Sequence, residues 1–370
     1  MGGLTSIRGF KSKVVLAALS LIVLQGCSDN EPTQKDESIP SSEQALNNNA
    51  SAAKADTAET IVVFSERKQH LIEPLFKAFT EQTGIDVEYL TDSAQPLLAR
   101  ISSQGKNTEA DLFMAVDAGN LWFAAKENLL KPIESEILEK NVPNEFQDPK
   151  NRWFGLSKRA RTIVYSTERV DPKNLSTYED LASDQWKGRL CLRTSQKVYN
   201  QSLVAMLLAQ HKQADVEKTL AGWVKNLATP VFSSDGLLIE AIAAGQCDVG
   251  IVNTYYLGEI QAKDPEVPVK IFWPNQGKDD TGVHVNITGA GVTKHAQHPE
   301  AAQQLLEWLV SDKAQAQFAK LNYEYPIVDG IELDPMVSAW GKFKTDETSI
   351  DQAGKNQATA IMLMDEAGYK

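Results

Sequence analysis

A two-lobed α/β fold is predicted for this chain, and three observations predict it. Short apolar runs alternate with amphipathic stretches over most of the sequence, which is the order strand, helix, strand. The part able to fold is about 310 residues long, more than one hydrophobic core usually serves. Two strand-like segments, 162–165 and 289–293, stand between blocks of the alternation, where crossovers between lobes would lie.

The chain opens with Arg8, Lys11 and Lys13, then an apolar run over 14–24, the charged-then-apolar order of a secretory signal over 1–26. That run is too short to span a bilayer. It ends in Leu24-Gln25-Gly26-Cys27, which resembles the lipobox of bacterial lipoproteins and implies a lipid on Cys27. Acyl chains there would tether an otherwise soluble chain, at roughly 0.8 kcal/mol per buried methylene. Ser28 after that cysteine favours the outer membrane by family habit. From there to residue 59 the sequence is polar and small, with Asn47-Asn48-Asn49 and no aromatic residue. It cannot bury enough surface to fold and reads as a flexible tether over 27–59.

The folded part begins with an apolar strand over 61–64, an amphipathic helix over 71–83 and a second strand over 85–90. Helix 97–104, strand 110–115 and helix 118–127 follow. Later come strand 188–192, helices 201–211, 216–226 and 237–244, and strand 248–253. Such alternation argues for mostly parallel sheets flanked by helices. The crossovers then assign 60–160 and 285–333 to the N-terminal lobe, and 161–284 and 334–370 to the C-terminal lobe with the closing helices.

Loss of the leader takes the 37 basic residues to 34 against 49 acidic, a balance of −15. Nucleic acid is excluded as a natural partner on that charge. No Gly-x-Ser-x-Gly elbow, phosphate loop or paired catalytic carboxylate motif is present, and no zinc spacing, so nothing marks an enzyme. With Cys27 carrying lipid, Cys191 and Cys247 remain to pair in an oxidising compartment. Closing that loop would contribute roughly 4 kcal/mol by chain entropy.

In open α/β sheets, ligands sit beyond the carboxyl ends of strands. Tyr255 and Tyr256 directly follow strand 248–253, and Tyr199 lies just past the strand ending near residue 192. The three phenols can meet at one rim. Cys191 and Cys247 each stand eight residues before Tyr199 and Tyr255, an equal offset that fits neighbouring parallel strands. Taken alone, a Tyr-Tyr pair is better explained by aromatic packing with a hydroxyl at the surface.

Resemblance covers the chain from about residue 60 to 370. The segments Phe-Thr-Glu-Gln-Thr-Gly-Ile at 79–85, Ala-Asp-Leu-Phe at 110–113, Val-Asp-Ala-Gly-Asn-Leu-Trp at 116–122, Trp-Lys-Gly-Arg at 186–189, Val-Tyr-Asn-Gln-Ser at 198–202 and Asn-Thr-Tyr-Tyr at 253–256 resemble the periplasmic ferric-iron-binding components of ABC importers, bacterial extracellular solute-binding proteins. The resemblance implies the type II periplasmic binding fold, a monomer that binds Fe3+ as cargo, and delivery to an inner-membrane ABC permease. It implies iron ligands at Tyr199, Tyr255 and Tyr256. Ferric iron, small and triply charged, prefers such anionic oxygen donors, and closure of the lobes over the ion is expected.

Many members of that family add a histidine, or a histidine and a tyrosine, from the N-terminal lobe. Here Lys68 and Gln69 occupy those places. An ammonium cannot ligate, so water or a small synergistic anion such as carbonate is expected, with Arg67 holding it through its planar fork. His70 is a weaker candidate ligand; at a helix start it also reads as a surface residue. Arg159 and Arg161 form a second basic pair, facing the cleft or solvent. Asn253 would hydrogen-bond ligand or anion, and Asp117 would cap the helix after it. His211, His284, His295 and His298 have no partners at ligand spacing and are expected at the surface. Two other functions stay open: a binding protein for a polyamine, thiamine or an oxyanion, and an enzyme of the outer envelope.

Overall fold

The strand that passes between the lobes organises the molecule. The computed structural model describes residues 59–370, so the leader 1–26, Cys27 and the tether up to residue 58 lie outside the described residues. Nine strands follow in order: β1 Thr60–Ser65, β2 Asp86–Thr91, β3 Leu112–Ala115, β4 Phe154–Ser166, β5 Leu190–Cys191, β6 Val249–Asn253, β7 Val269–Phe272, β8 Val285–Val292 and β9 Tyr325–Pro326. They form one path, β2-β1-β3-β8-β4-β6-β5, with β7 and β9 also on β4. No helix among the described residues is long and apolar enough to cross a membrane.

β4 is longer than the segment 162–165 suggested, because Lys158, Arg159 and Arg161 interrupt an apolar run that is buried almost throughout. Its first half, Phe154–Ala160, pairs with β8; from Arg161 onward it pairs with β6 and β7. The second crossing lies between β7 and β8, ahead of the expected 289–293, which ends a strand wholly within the first sheet. Sheets are mixed. β1 runs parallel to β2 and β3, and β5 to β6, as expected; the crossover strands run antiparallel to their neighbours because each returns from the other lobe.

At the crossing, the Tyr178 hydroxyl donates to the Arg161 carbonyl and accepts from the His284 N–H at 3.2 Å. Arg161 N–H also donates to the His284 carbonyl, 3.0 Å. One buried phenol thus joins both crossing segments.

Two sets of cores lie on either side. The first draws on Ile61 through Ala160 and on Val283 through Ala353; the others draw on Ile163 through Val269 and the C-terminal Ala360 through Tyr369. The helix Gln69–Thr83 shows the local logic: Ile72, Leu75, Phe76 and Phe79 recur at helical spacing on its buried face, and Gly84 ends it at φ 78°. The segment after Pro335 divides. Ile350 and Ala353 enter the first core, whereas the helix Gln357–Glu366 packs on the second.

The helix Val198–Gln210 is buried on nearly all sides, with Met206 in the first core and Leu203, Val204 and Leu207 in the second. It starts three residues earlier than its polar beginning suggests, since Tyr199 and Asn200 in its first turn do not carry an apolar pattern.

Candidate metal centre

The tyrosines stand at the starts of two helices. Tyr199 lies in the first turn of Val198–Gln210, and Tyr255 and Tyr256 in the first turn of Thr254–Gln261, which follows β6 without a loop. Since β5 and β6 are parallel neighbours, both helices rise from the same end of the sheet. The partly positive helix N-termini favour negative charge there.

All three side chains line one cavity of about 430 Å³. The Tyr255 and Tyr199 hydroxyls are 3.4 Å apart. The rings of Tyr255 and Tyr256 have centroids 4.4 Å apart, inclined at 32°. Arg193 Nη1 donates to the Tyr256 hydroxyl at 3.4 Å, and its guanidinium lies 5.6 Å from the Tyr199 ring centroid. Arg159 lies 4.9 Å and the Lys197 ammonium 4.7 Å from the same centroid. Burial pushes the Tyr199 phenol up to about 12 despite the opposing pull of Arg159. Burial and the neighbouring phenols Tyr199 and Tyr256 hold Tyr255 well above the usual range. Among the described residues no group of three or more His, Cys, Asp and Glu side chains could hold a metal ion. A metal in this cavity would depend on the phenols.

Beneath the phenols lies a buried polar scaffold. Arg161 does not line the cavity; it binds Asp235 Oδ2 and Asn253 Oδ1 at 3.1 Å each, and Asn200 Oδ1 at 2.6 and 3.0 Å. Asp235 Oδ2 also accepts from the Asn253 N–H at 3.0 Å. Asn200 follows Tyr199 and Asn253 precedes Tyr255 by two, so one guanidinium ties down both tyrosine-bearing turns.

The disulfide joins Cys191 to Cys247, Cα atoms 5.9 Å apart. Its strands are parallel neighbours, but the register sets Cys191 opposite Gly250, so the equal offsets in sequence are not equal in space. Cys247 lies before β6 begins, and the bond runs diagonally.

The N-terminal segment differs from expectation at Arg67. Its Nη1 and Nη2 are taken by Glu324, at 3.1 and 2.8 Å, and by Thr288 at 2.6 Å, because Glu324 comes to the same wall from the end of the helix Asp312–Asn322. Lys68 and His70 line the cavity but are exposed, and Gln69 turns to Glu73 at 3.2 Å. Asp117 caps its helix through the Gly119 N–H as expected, 2.8 Å, and also accepts from Ser202 Oγ at 2.8 Å. Burial raises its carboxyl to about 6, opposed first by Arg159.

His284, expected at the surface, is buried at the crossing because Arg161 and Tyr178 use its backbone. Burial, with Arg159 and Arg161 nearby, lowers its imidazole to about 3. His211 pairs with Glu179 at 3.0 Å, and His298 is exposed. Sequence reasoning missed Arg193, Lys197 and Glu66 as cavity residues. Their signal was position alone: Arg193 and Lys197 fall between a strand end and Tyr199, and Glu66 directly follows β1.

Among known families, the one described as bacterial extracellular solute-binding protein matches residues 74–345. The chain belongs to that family. Within it, this solute-binding protein is 41% identical over 318 residues to iron uptake protein A1 of Synechocystis sp., covering 84% of this chain and 88% of that one. Iron uptake protein A2 of the same organism is 40% identical over 319 residues, covering 85% and 91%. The structure of Trichodesmium IdiA (FutA), in complex with iron and citrate, superposes with a TM-score of 0.80 at 42% identity, covering 84% of this chain and 100% of that one. The apo ferric ion-binding protein A of Pasteurella haemolytica gives 0.79 at 34% identity, covering 84% and 98%. The fold is the two-lobed α/β fold of periplasmic binding proteins.

Proposed function

We propose that this chain is the substrate-binding component of an iron(III) ABC importer, which takes ferric iron through Tyr199, Tyr255 and Tyr256 and delivers it to an inner-membrane permease. One observation carries the reading: the Tyr255 hydroxyl donates to that of Tyr199 at 3.4 Å and neither hydroxyl has another hydrogen bond among the described residues, with Tyr256 beside them and cations over the rings. Phenols so placed are costly to ionise alone. A bound trivalent cation reverses that cost, as bound metals do for thiols and water. The names of the relatives, iron uptake and ferric-ion binding, point the same way.

Arg159, Arg193 and Lys197 offset the phenolate charge and suit an accompanying small anion such as carbonate. With Arg67 Nη1 and Nη2 held by Glu324, that part falls chiefly to Arg159, whose Nη1, like Arg67 Nε, has no hydrogen-bond partner among the described residues. Arg161 and Asn253 support the tyrosines from below. The same cations argue against a polyamine and favour, as the second reading, an oxyanion carried without iron. Export by the leader, lipid attachment at Cys27 and the tether 27–59 complete the proposal, with a monomeric protein that binds and releases without turnover. The lobes, 60–160 with 285–333 and 161–284 with the helix Gln357–Glu366, close over the ion, and the stretch through Ile350 and Ala353 moves with the first.

Ferric loading of the purified protein tests this. A visible phenolate-to-iron charge-transfer band is expected, and Tyr255→Phe should remove most of it. A colourless protein that leaves ferric iron in solution would overturn the reading. Calorimetry of iron-free protein with carbonate or sulfate separates the oxyanion, whose affinity would survive removal of iron.

A further inference from the structure

The first lobe meets the cavity through the turn after β1, where Lys68 cannot ligate, Gln69 is turned away and Arg67 is taken by Glu324. Glu66 is different. It lines the same cavity as the three tyrosines, and its backbone N–H is fixed to the Met114 carbonyl at 2.8 Å. Its Oε2 accepts from the Val116 N–H at 3.1 Å and from Asn120 Nδ2 at 3.0 Å. Both bonds fall on one oxygen. Oε1 receives no hydrogen bond, and Glu66 forms no ion pair among the described residues. It is also within electrostatic reach of Tyr199.

We infer that Glu66 is the first lobe's own ligand to the cargo ion, bound through Oε1 when the lobes close. The inference rests on the tyrosine reading of the site. A carboxylate oxygen is a hard donor of the kind that hard cations select. Ligating carboxylates are commonly held by hydrogen bonds to their other atoms, and the Val116 and Asn120 donors do that here. The other cavity carboxylates are less suited: Glu324 is paired with Arg67 and bonded by Ser157, while Glu240 and Glu259 are exposed on second-lobe helices. Three phenolates and Glu66 would exceed the charge of the ion by one, which Arg159 and Arg193 offset.

The test compares the full protein with Glu66→Gln, Glu66→Asp and Asn120→Ala, each loaded with ferric iron. Glu66→Gln should keep a charge-transfer band, since the phenols remain, but with a shifted maximum and about tenfold or faster release to a competing chelator. The infrared difference on loading should lose a carboxylate stretch in Glu66→Gln and keep it in Glu66→Asp. Asn120→Ala, which removes a support of the carboxylate and not the carboxylate, should leave the stretch in place. A Glu66→Gln protein with unchanged spectrum and release overturns the inference, as does one whose changes Asn120→Ala reproduces in full. A wild-type protein with no charge-transfer band would instead sink the tyrosine reading.

Discussion

A Cβ built on Gly258 would stand 2.9 Å from both Cβ and Cγ of Tyr323. Tyr323 ends the helix Asp312–Asn322 in the left-handed region, φ 52° and ψ 31°, where a bulky side chain is uncommon. This first-lobe tyrosine is seated on the helix that carries Tyr255 and Tyr256. Gly258→Ala should therefore push the two apart, at a cost of about 1–3 kcal/mol typical of overpacking. Urea unfolding of the apo protein and chelator competition of the ferric form measure the two halves of that cost. Unchanged values in both would mean the helix is not held by this contact.

Ferric binding should weaken as pH falls. Tyr199, pushed up to about 12, and Tyr255, held well above the usual range, are protonated in the apo protein at neutral pH. A ligating phenolate must lose its proton, so these two alone give a slope of about two orders of magnitude in affinity per pH unit. Acid released on loading, corrected for the chelate that delivers the iron, should reach at least two protons per ion.

Arg161→Met should be strongly destabilising. The guanidinium is buried against Asp235, and removing one partner of a buried pair costs about 3–5 kcal/mol. It should also weaken iron binding, because Asn200 and Asn253 lose their common anchor. Denaturant titration and ferric competition separate the two effects; a variant as stable as the parent would contradict the scaffold role.

His284 and Asp117 give stability opposite dependences on pH. The His284 imidazole is lowered to about 3, so the unfolded chain binds its proton more readily; its contribution is full above the ordinary histidine range and falls as pH drops towards 3. The Asp117 carboxyl is raised to about 6, so its contribution is present below the ordinary carboxylate range and falls as pH rises through 6. His284→Gln should flatten the acid side of the stability curve while leaving the Asp117 slope. An identical curve in the variant would show that His284 does not govern acid stability.

Legibility in the sequence followed locality. The alternation of β1, the helix Gln69–Thr83 and β2 was plain because each buries one face in regular spacing. Tyr255 and Tyr256 were readable as strand-end residues because they follow a short strand that is apolar up to Asn253. β4 was not readable in full, since its central arginines are held by residues far away in the chain: Val116 and Asp117 for Arg159 through Nη2, Asp235 and Asn253 for Arg161. The commitment of Arg67 to Glu324 spans 257 positions, and no local pattern signals it. His284 looked exposed among polar neighbours, yet pairing of its backbone across the crossing carries its ring inside.

The phenol of Tyr178 joins the two crossing segments at Arg161 and His284, and Arg161 also reaches the turns that carry Tyr199 and Tyr255. The pivot and the floor of the cavity are therefore one piece of structure. The closure proposed above would carry Lys68 and His70, exposed on the first lobe's side of the cavity, towards tyrosines fixed on the second. On the proposed reading the three phenols, all carried by the second lobe, would keep their mutual geometry during closure, so an incoming ion would meet an assembled half-site before the cleft shuts, and capture would precede enclosure.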